Sequence, residues 1–471
     1  MPTVIPTELG TEKISKLLKQ YAIPAIIAMT ASSLYNMCDS IFIGQGVGPY
    51  AIAGLAITFP LMNLSAACGT LVGVGASTII SVLLGQKNYE VAQKVLGNSV
   101  VLNVIVGLLF SVFCIAFLKP ILFFFGASSN TMPYAYDYMF IILLGNIVTH
   151  LYFGMNNIVR VMGLPKKAMS ATIFTVVINS ILDPIFIFAF HWGVRGAAIA
   201  TVLSQFLAML YVFYLASDKN RVIHLKRGIY KLEAKIIKKT FSIGMSPFLM
   251  NAASCFIVLF LNQQLKRYGG DMAIGAFGIV NRMSFLFMMV VMGLNQGMQP
   301  IAGYNFGANK PQRVSKVLRT TILLATAVTS FGFVIGELFP RQLAYIFTTD
   351  PELIRQSVIG LRITFISFPI IGFQMVTAYF FQSIGLAKKA VFLSLSRQVL
   401  FLLPLLFLMP TIWGIHGVWW SLPVSDLISS IVSGLMLAAQ HRAFIRMQQE
   451  QERRSEQQLK ISLQSKENQQ Q

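Results

Sequence analysis

Asn179 and Asp183 stand four residues apart inside an almost wholly apolar stretch, Ser170–Ala208, that turns once at His191–Gly196. On a helix, residues at that spacing share one face. A carboxylate at the centre of a membrane-spanning helix costs about 2.5–3.5 kcal/mol on insertion scales, so such a residue marks a function by default. Pro184 follows directly. It removes a backbone donor and can bend the helix, freeing carbonyls for a ligand. The chemistry that suits this pattern is ion coordination, with the stretch as one wall of a transporter's coupling-ion site.

Two further residues complete the set. Asp39 lies toward the far end of the first apolar run, and Thr201 lies early in the run that follows Asp183. Two carboxylates, an amide and a hydroxyl are the hard oxygen ligands that a small cation needs. Two carboxylates in one site resist carrying two charges, so a proton and a sodium ion become alternatives there. Pro24, below Asp39 on the same run, offers a bending point that would report protonation as a change of helix shape. Helix bending is therefore assigned to Pro24 and Pro184, and coupling-ion or Na+ binding to Asp39, Asn179, Asp183 and Thr201.

These side chains need a membrane frame to hold them. The chain has 471 residues, 55% hydrophobic and only 11% charged. A soluble protein of this size carries roughly a quarter charged residues. Apolar runs recur at about 20–43, 52–82, 95–118, 134–159, 168–190 and 195–216, then at about 241–263, 272–301, 315–338, 354–383, 390–410 and 414–440. The reading is an all-α integral membrane protein with twelve spans: residues 1–217 form a first lobe, 218–239 a basic linker, 240–440 a second lobe and 441–471 a polar tail. The formal charge of +20 does not indicate nucleic acid. The basic residues cluster in loops, about 28 on one side of the membrane against about six on the other, which places both termini in the cytoplasm of an inner-membrane protein. That orientation puts Asp39, Asp183 (roughly 22 Å into its span) and Thr201 in the same outer half of the bilayer. Cys38, Cys68, Cys114 and Cys255 lie in apolar runs without metal-type spacing and read as small buried hydrophobes.

The halves echo each other at an offset of about 222 residues. GLPKKA at Gly163–Ala168 recurs as GLAKKA at Gly385–Ala390, and GQKNYEVAQKVL at Gly85–Leu96 as GANKPQRVSKVL at Gly307–Leu318. WGVRG at Trp192–Gly196 recurs one residue out of register as WGIHG at Trp413–Gly417. Six spans per repeat give both copies the same orientation, the plan of carriers that bind substrate between two lobes and rock them. Asn179 and Asp183 fall opposite Phe401 and Leu405, so the second half lacks this polar constellation. A purely structural need would recur in both copies.

At these residues the sequence resembles the multidrug and toxic compound extrusion (MATE) family over about Lys16 to Ala439. The likeness is carried by the early proline and aspartate of span 1, the loops GQK and GLPKK, and Asn-x-x-x-Asp-Pro in span 5. It implies a V-shaped pair of six-helix bundles exporting cationic or amphipathic small molecules, antibiotics among them, in exchange for Na+ or H+. It also implies a cation site on Asp39, Asn179, Asp183 and Thr201, and a bending proline at Pro24. No enzymatic activity and no cofactor beyond the coupling ion are implied. NorM-type members carry acidic residues in spans 7 and 10. Here those spans offer Asn251, Asn262, Gln263, Gln264, Gln374 and Gln382 instead, which fits the DinF-like branch.

Other polar residues fall in the spans. Arg282, Arg362 and Arg397 need partners or a cavity, and Asp426 is one candidate partner. They either hold the second lobe together or shape affinity for anionic substrates. His150, Asn156, Asn157, Met288 and Met292 are candidate cavity-lining residues, methionine being suited to promiscuous binding. The expected partners are amphipathic solutes and membrane lipid, with the protein acting as a monomer. A lipid-linked precursor flippase is the alternative within transport, but it calls for a strongly cationic central cavity, and the first lobe's spans are nearly free of Lys and Arg. A channel would show a filter-like loop, and an intramembrane enzyme a nucleophile–base pair or a motif such as H-E-x-x-H. Neither pattern is present.

Overall fold

The computed structural model describes residues 6–470; Cys38 and most side chains of the tail lie outside the described residues. Ten segments are long and apolar enough to cross a bilayer when each bent pair counts as one span. The first helix, and the division of Ala387–Ala443 at Gly414, bring the rods among the described residues to twelve. The first lobe comprises α1 Ile14–Gly46, α2 Pro49–Gly85, α3 Tyr89–Ala116, α4 (Met132–Leu144 and Asn146–Val161), α5 Pro165–Ala189 and α6 Gly193–Ala216. The second comprises α7 Ala234–Gly270, α8 Met272–Gly307, α9 Pro311–Leu338, α10 (Pro351–Phe365 and Phe368–Ser383), α11 (387–413) and α12 (415–443). Both α4 and α10 are bent in mid-span, by 57° and 54°. The repeat read from loop motifs is thus repeated in helix shape.

Glycine makes the sharp reversals. Gly270 and Gly414 adopt φ of 70° and 57°, a left-handed conformation that costs glycine nothing and lets one rod turn straight into the next. Asn88 caps α3 by accepting from Val91 N–H at 3.3 Å, and Asp350 caps α10 by accepting from Leu353 N–H at 2.8 Å.

The amphipathic lead is less separate than its composition suggests. α1 starts at Ile14, and Leu9, Ile14, Leu17 and Leu18 are fully buried. The helix continues through Pro24 without a break. The basic linker is also tied down. His224 N–H donates to Gln93 Oε1 at 3.1 Å, Asn98 Nδ2 donates to Lys231 O at 2.9 Å and Glu233 N–H donates to Asn98 Oδ1 at 2.9 Å. Polar side chains of α3 thereby take up backbone groups that no helix satisfies.

The lobes meet along a seam of glycines. A Cβ on Gly85 would lie 1.9 Å from Tyr304 O, and one on Gly307 would lie 1.9 Å from Val82 O. Nearer the middle, Gly75 faces Thr240 O at 2.1 Å and Gly244 faces Leu71 O at 1.8 Å in the same sense. Only hydrogen fits, so α2 packs backbone to backbone on α7 and α8. Ser81 Oγ donates to Pro300 O at 2.9 Å, and Gln299 Nε2 donates to Thr78 Oγ1 at 2.8 Å. At the same end Arg313 Nη2 donates to Glu12 O at 2.6 Å, Lys310 Nζ to Gly10 O at 2.8 Å and Asn305 Nδ2 to Leu9 O at 2.8 Å. The amino-terminal segment is thereby strapped to the second lobe. Toward the other end the lobes still touch where Cys255 Sγ lies 4.0 Å from Pro60 O, and beyond that contact Tyr50 and Ile52 of α2 and Leu259 of α7 are exposed. The outline is a V.

Candidate ion site and family

The four residues picked out by type and spacing come together. Asp39, Asn179, Asp183 and Thr201 are each at most 5% exposed. Asp39 lies two turns before the end of α1, Asn179 and Asp183 one turn apart on α5, and Thr201 two turns into α6. The carboxyl groups of Asp39 and Asp183 lie close together in the buried site. Tyr138, on the first half of α4, lies beside Asp39.

The amide of Asn179 links the pair to α6. With its nitrogen toward the carboxylate, Nδ2 donates to Asp183 Oδ2 at 2.7 Å, and Oδ1 accepts from Thr201 Oγ1 at 3.3 Å and Thr201 N–H at 3.2 Å. The opposite orientation would set two acceptors against each other, so the network fixes the amide. Oδ1 of Asp39 is buried with no hydrogen-bond partner among the described residues. An orphaned acceptor beside a second carboxyl is a place for a proton or a small cation. Oxygen donors come from Asp39, Asp183 and Thr201, and from Asn179 when its amide turns.

The local backbone explains the geometry. Immediately after Pro184, α5 widens into a π-helix over Ile185–Ala189. Proline cannot supply the next backbone N–H, and a π-turn takes up the mismatch. The widened turn packs on the end of α1, where a Cβ on Gly46 would lie 2.4 Å from Ile187 Cγ2. Pro184 therefore shapes the floor between Asp39 and Asp183, while Pro24 leaves α1 unbroken.

The proposed cavity residues fall elsewhere. His150 has no exposed surface; its ring lies against Gly69 and Gly107, with Nε2 2.9 Å from Ser65 O. Asn156 Nδ2 donates to Thr172 Oγ1 at 3.1 Å, and Asn157 Nδ2 donates to Phe153 O at 3.0 Å. His150 and Asn156 thus tie helices of the first lobe together, Asn157 bonds back within its own helix, and His150 lines no open surface in this conformation. Met288 and Met292 are half-buried on α8, Met288 against the second lobe's core. Tyr138 is the site residue that the sequence did not mark. It sits among apolar and aromatic neighbours, where a tyrosine reads as interfacial.

The second lobe is not without charge. Arg397 Nε donates to Asp426 Oδ1 at 2.6 Å, and Ser367 Oγ donates to Asp426 Oδ2 at 2.8 Å. The pairing of Arg397 with Asp426 holds, whereas Arg282 and Arg362 are exposed. The second lobe therefore holds a carboxylate paired with a cation, where the first holds two carboxyl groups together.

Residues 24–185 and 243–408 match the MatE family model, once in each half. The chain belongs to the MatE family. The double match is the internal repeat seen independently. This MatE chain is 28% identical over 420 residues to the multidrug export protein MepA of Staphylococcus haemolyticus (strain JCSC1435), covering 89% of this chain and 92% of that one. It is likewise 28% identical over 428 residues to MepA of Staphylococcus aureus (strain NCTC 8325 / PS 47), covering 90% and 93%. Among solved structures, a multidrug resistance MATE family transporter of the MOP superfamily in an outward-facing conformation superposes with a TM-score of 0.89 at 24% identity, over 94% of this chain and 99% of that one. The fold is shared throughout.

Proposed function

We propose that this multi-pass membrane protein is a secondary active multidrug exporter. It moves amphipathic or cationic small molecules out of the cell in exchange for H+ or Na+, as a monomer in the inner membrane with both termini cytoplasmic. The relatives that match along nine-tenths of the chain are multidrug export proteins, which supports the export reading over an enzyme or a channel. On this orientation the glycine seam closes the cytoplasmic side and the open end of the V faces outward. Coupling belongs to Asp39, Asn179, Asp183 and Thr201 in the first lobe.

The observation that carries the coupling reading is the buried contact of two carboxyl groups. Two buried carboxylates have only acceptors to offer each other, so holding them together favours a proton or a cation between them. A proton on one of them is the reading this supports. Releasing it would leave two facing negative charges, which must separate or take in Na+. Either change displaces α1 against α5, and α1 also lies in the seam, where Ala22 and Ile26 press on Gly297 and Gly293. That is a mechanical route from ion to gate.

The test is efflux from proteoliposomes with H+ and Na+ gradients imposed separately. The H+ gradient is expected to drive export, and Asp183→Asn or Asp39→Asn to lower gradient-driven export at least tenfold. An Asp183→Asn protein that still exports at full rate down an ion gradient would refute the site.

A further inference from the structure

The buried pair in the second lobe has an unusual setting. Arg397 follows Ala387 by ten residues and Asp426 follows Gly414 by twelve, so each lies about 15–18 Å along its span, close to the bilayer midplane. Asp426 is fully enclosed, but the Arg397 side chain keeps 29% of its surface exposed. A guanidinium in hydrocarbon at that depth is costly, so its free face must look onto a polar space within the protein.

The neighbours agree. Arg397 lies in a second π-helical stretch, Ser396–Leu402, in which Val399 and Leu400 are exposed. Residues beside Arg397 face α7: Ser394 Oγ is 2.8 Å from Ser246 Oγ, and Gln398 Nε2 donates to Ser254 Oγ at 2.7 Å. Cys255, next to Ser254, is the residue whose Sγ approaches Pro60 O of the first lobe at 4.0 Å. Arg397 therefore opens toward the side on which the lobes face each other.

The surroundings hold unused hydrogen-bonding capacity. Nε is the only Arg397 group with a hydrogen-bond partner among the described residues. Gln374 Nε2 donates to Ser429 Oγ at 2.8 Å, but its Oε1 has no partner. Gln398 Oε1 and the hydroxyls of Ser430 and Ser433 are also buried without partners. A pair kept for rigidity alone would be expected to saturate its neighbours. Here the planar fork is pinned through one nitrogen, leaving its terminal amino groups free, which is the geometry that takes up a carboxylate bidentately.

We propose that Arg397, oriented by Asp426 and Ser367, is a binding group for a carboxylate or other organic anion on the exported molecule. This rests on the exporter reading. The first lobe would then take positive charge and the second negative, so that zwitterionic amphiphiles are substrates alongside simple cations.

The experiment compares two probes in proteoliposomes: a lipophilic monocation without an acid group, and a zwitterionic dye bearing a carboxylate together with its methyl ester. Arg397→Gln is expected to raise KM for the zwitterion about tenfold relative to the monocation and ester, a loss typical of a charge-assisted bidentate contact. Arg397→Lys should retain part of the preference. Asp426→Asn, which releases the fork from its internal partner, should lower KM for the zwitterion about threefold or more. Equal losses on all probes, or a melting temperature that falls together with activity in all three variants, would mean the pair is structural and overturn the inference. Wild-type protein that exports the monocation but not the zwitterion overturns it while leaving the exporter reading standing. Export of neither removes both.

Discussion

Asp39 and Asp183 depend on what their neighbours can donate. Among the described residues the Asn179 amide reaches Asp183, and it is held by two contacts from Thr201. Thr201→Val should therefore disturb ion affinity without touching a carboxylate. The loss of one buried hydroxyl donor is worth about 1 kcal/mol, or roughly fivefold. Half-maximal export is expected at a driving-ion concentration about fivefold different from wild type, with Thr201→Ser close to wild type; a Val variant with unchanged ion dependence would show that the amide needs no anchor. The site was legible in the sequence because carboxylates in apolar runs are rare and their spacing is helical. Tyr138 was not, because a phenol in such a run is ordinary and only the bend of α4 brings it to Asp39. His150 misled for the converse reason: its polarity is satisfied inside the packing, which no one-dimensional pattern records.

At the scale of elements, the glycines of α2, α7 and α8 matter most. Adding side-chain volume at a close-packed interface typically costs about 1–3 kcal/mol. A conformational equilibrium shifts about 5- to 150-fold under such a cost. Gly85→Val or Gly307→Val should thus favour the conformation in which the seam is open. A cysteine placed by Ser81→Cys, buried against Pro300 in the closed seam, should be protected in the parent and react with a hydrophilic maleimide in the Gly85→Val background. Equal protection in both would exonerate the seam. The helices themselves could be read from apolar run length, and the repeat from its loop motifs. The π-turns after Pro184 and around Arg397 could not: a proline announces a disturbance in a helix but not the form it takes.

For the molecule as a whole, the strap formed by Arg313, Lys310 and Asn305 joins the start of the chain to the opposite lobe. By side-chain type the lead is polar and amphipathic, with Lys13, Lys16 and Lys19 just before the first span, and nothing in it names a partner in the opposite lobe. Instead the backbone carbonyls of Leu9, Gly10 and Glu12 serve as acceptors, a use that side-chain identity cannot advertise. Arg313→Ala removes the donor shared by two of them. Amide exchange over residues 8–13 is expected to speed up roughly tenfold, since hydrogen bonds to a charged donor are worth about 1.5–3 kcal/mol. Exchange that stays at the parent rate would mean that burial of Leu9 and Leu17 suffices to hold the segment.

The glycine seam has one more consequence. Its closest contacts run from hydrogen to carbonyl, so at Gly75, Gly85, Gly244 and Gly307 there is no side chain for variation to act on. The surfaces that meet drugs can change residue by residue while the hinge that moves them keeps the same closing energy. Recognition and motion are thereby written in separate alphabets, and a broad exporter can acquire a new substrate without having to retune its own switch.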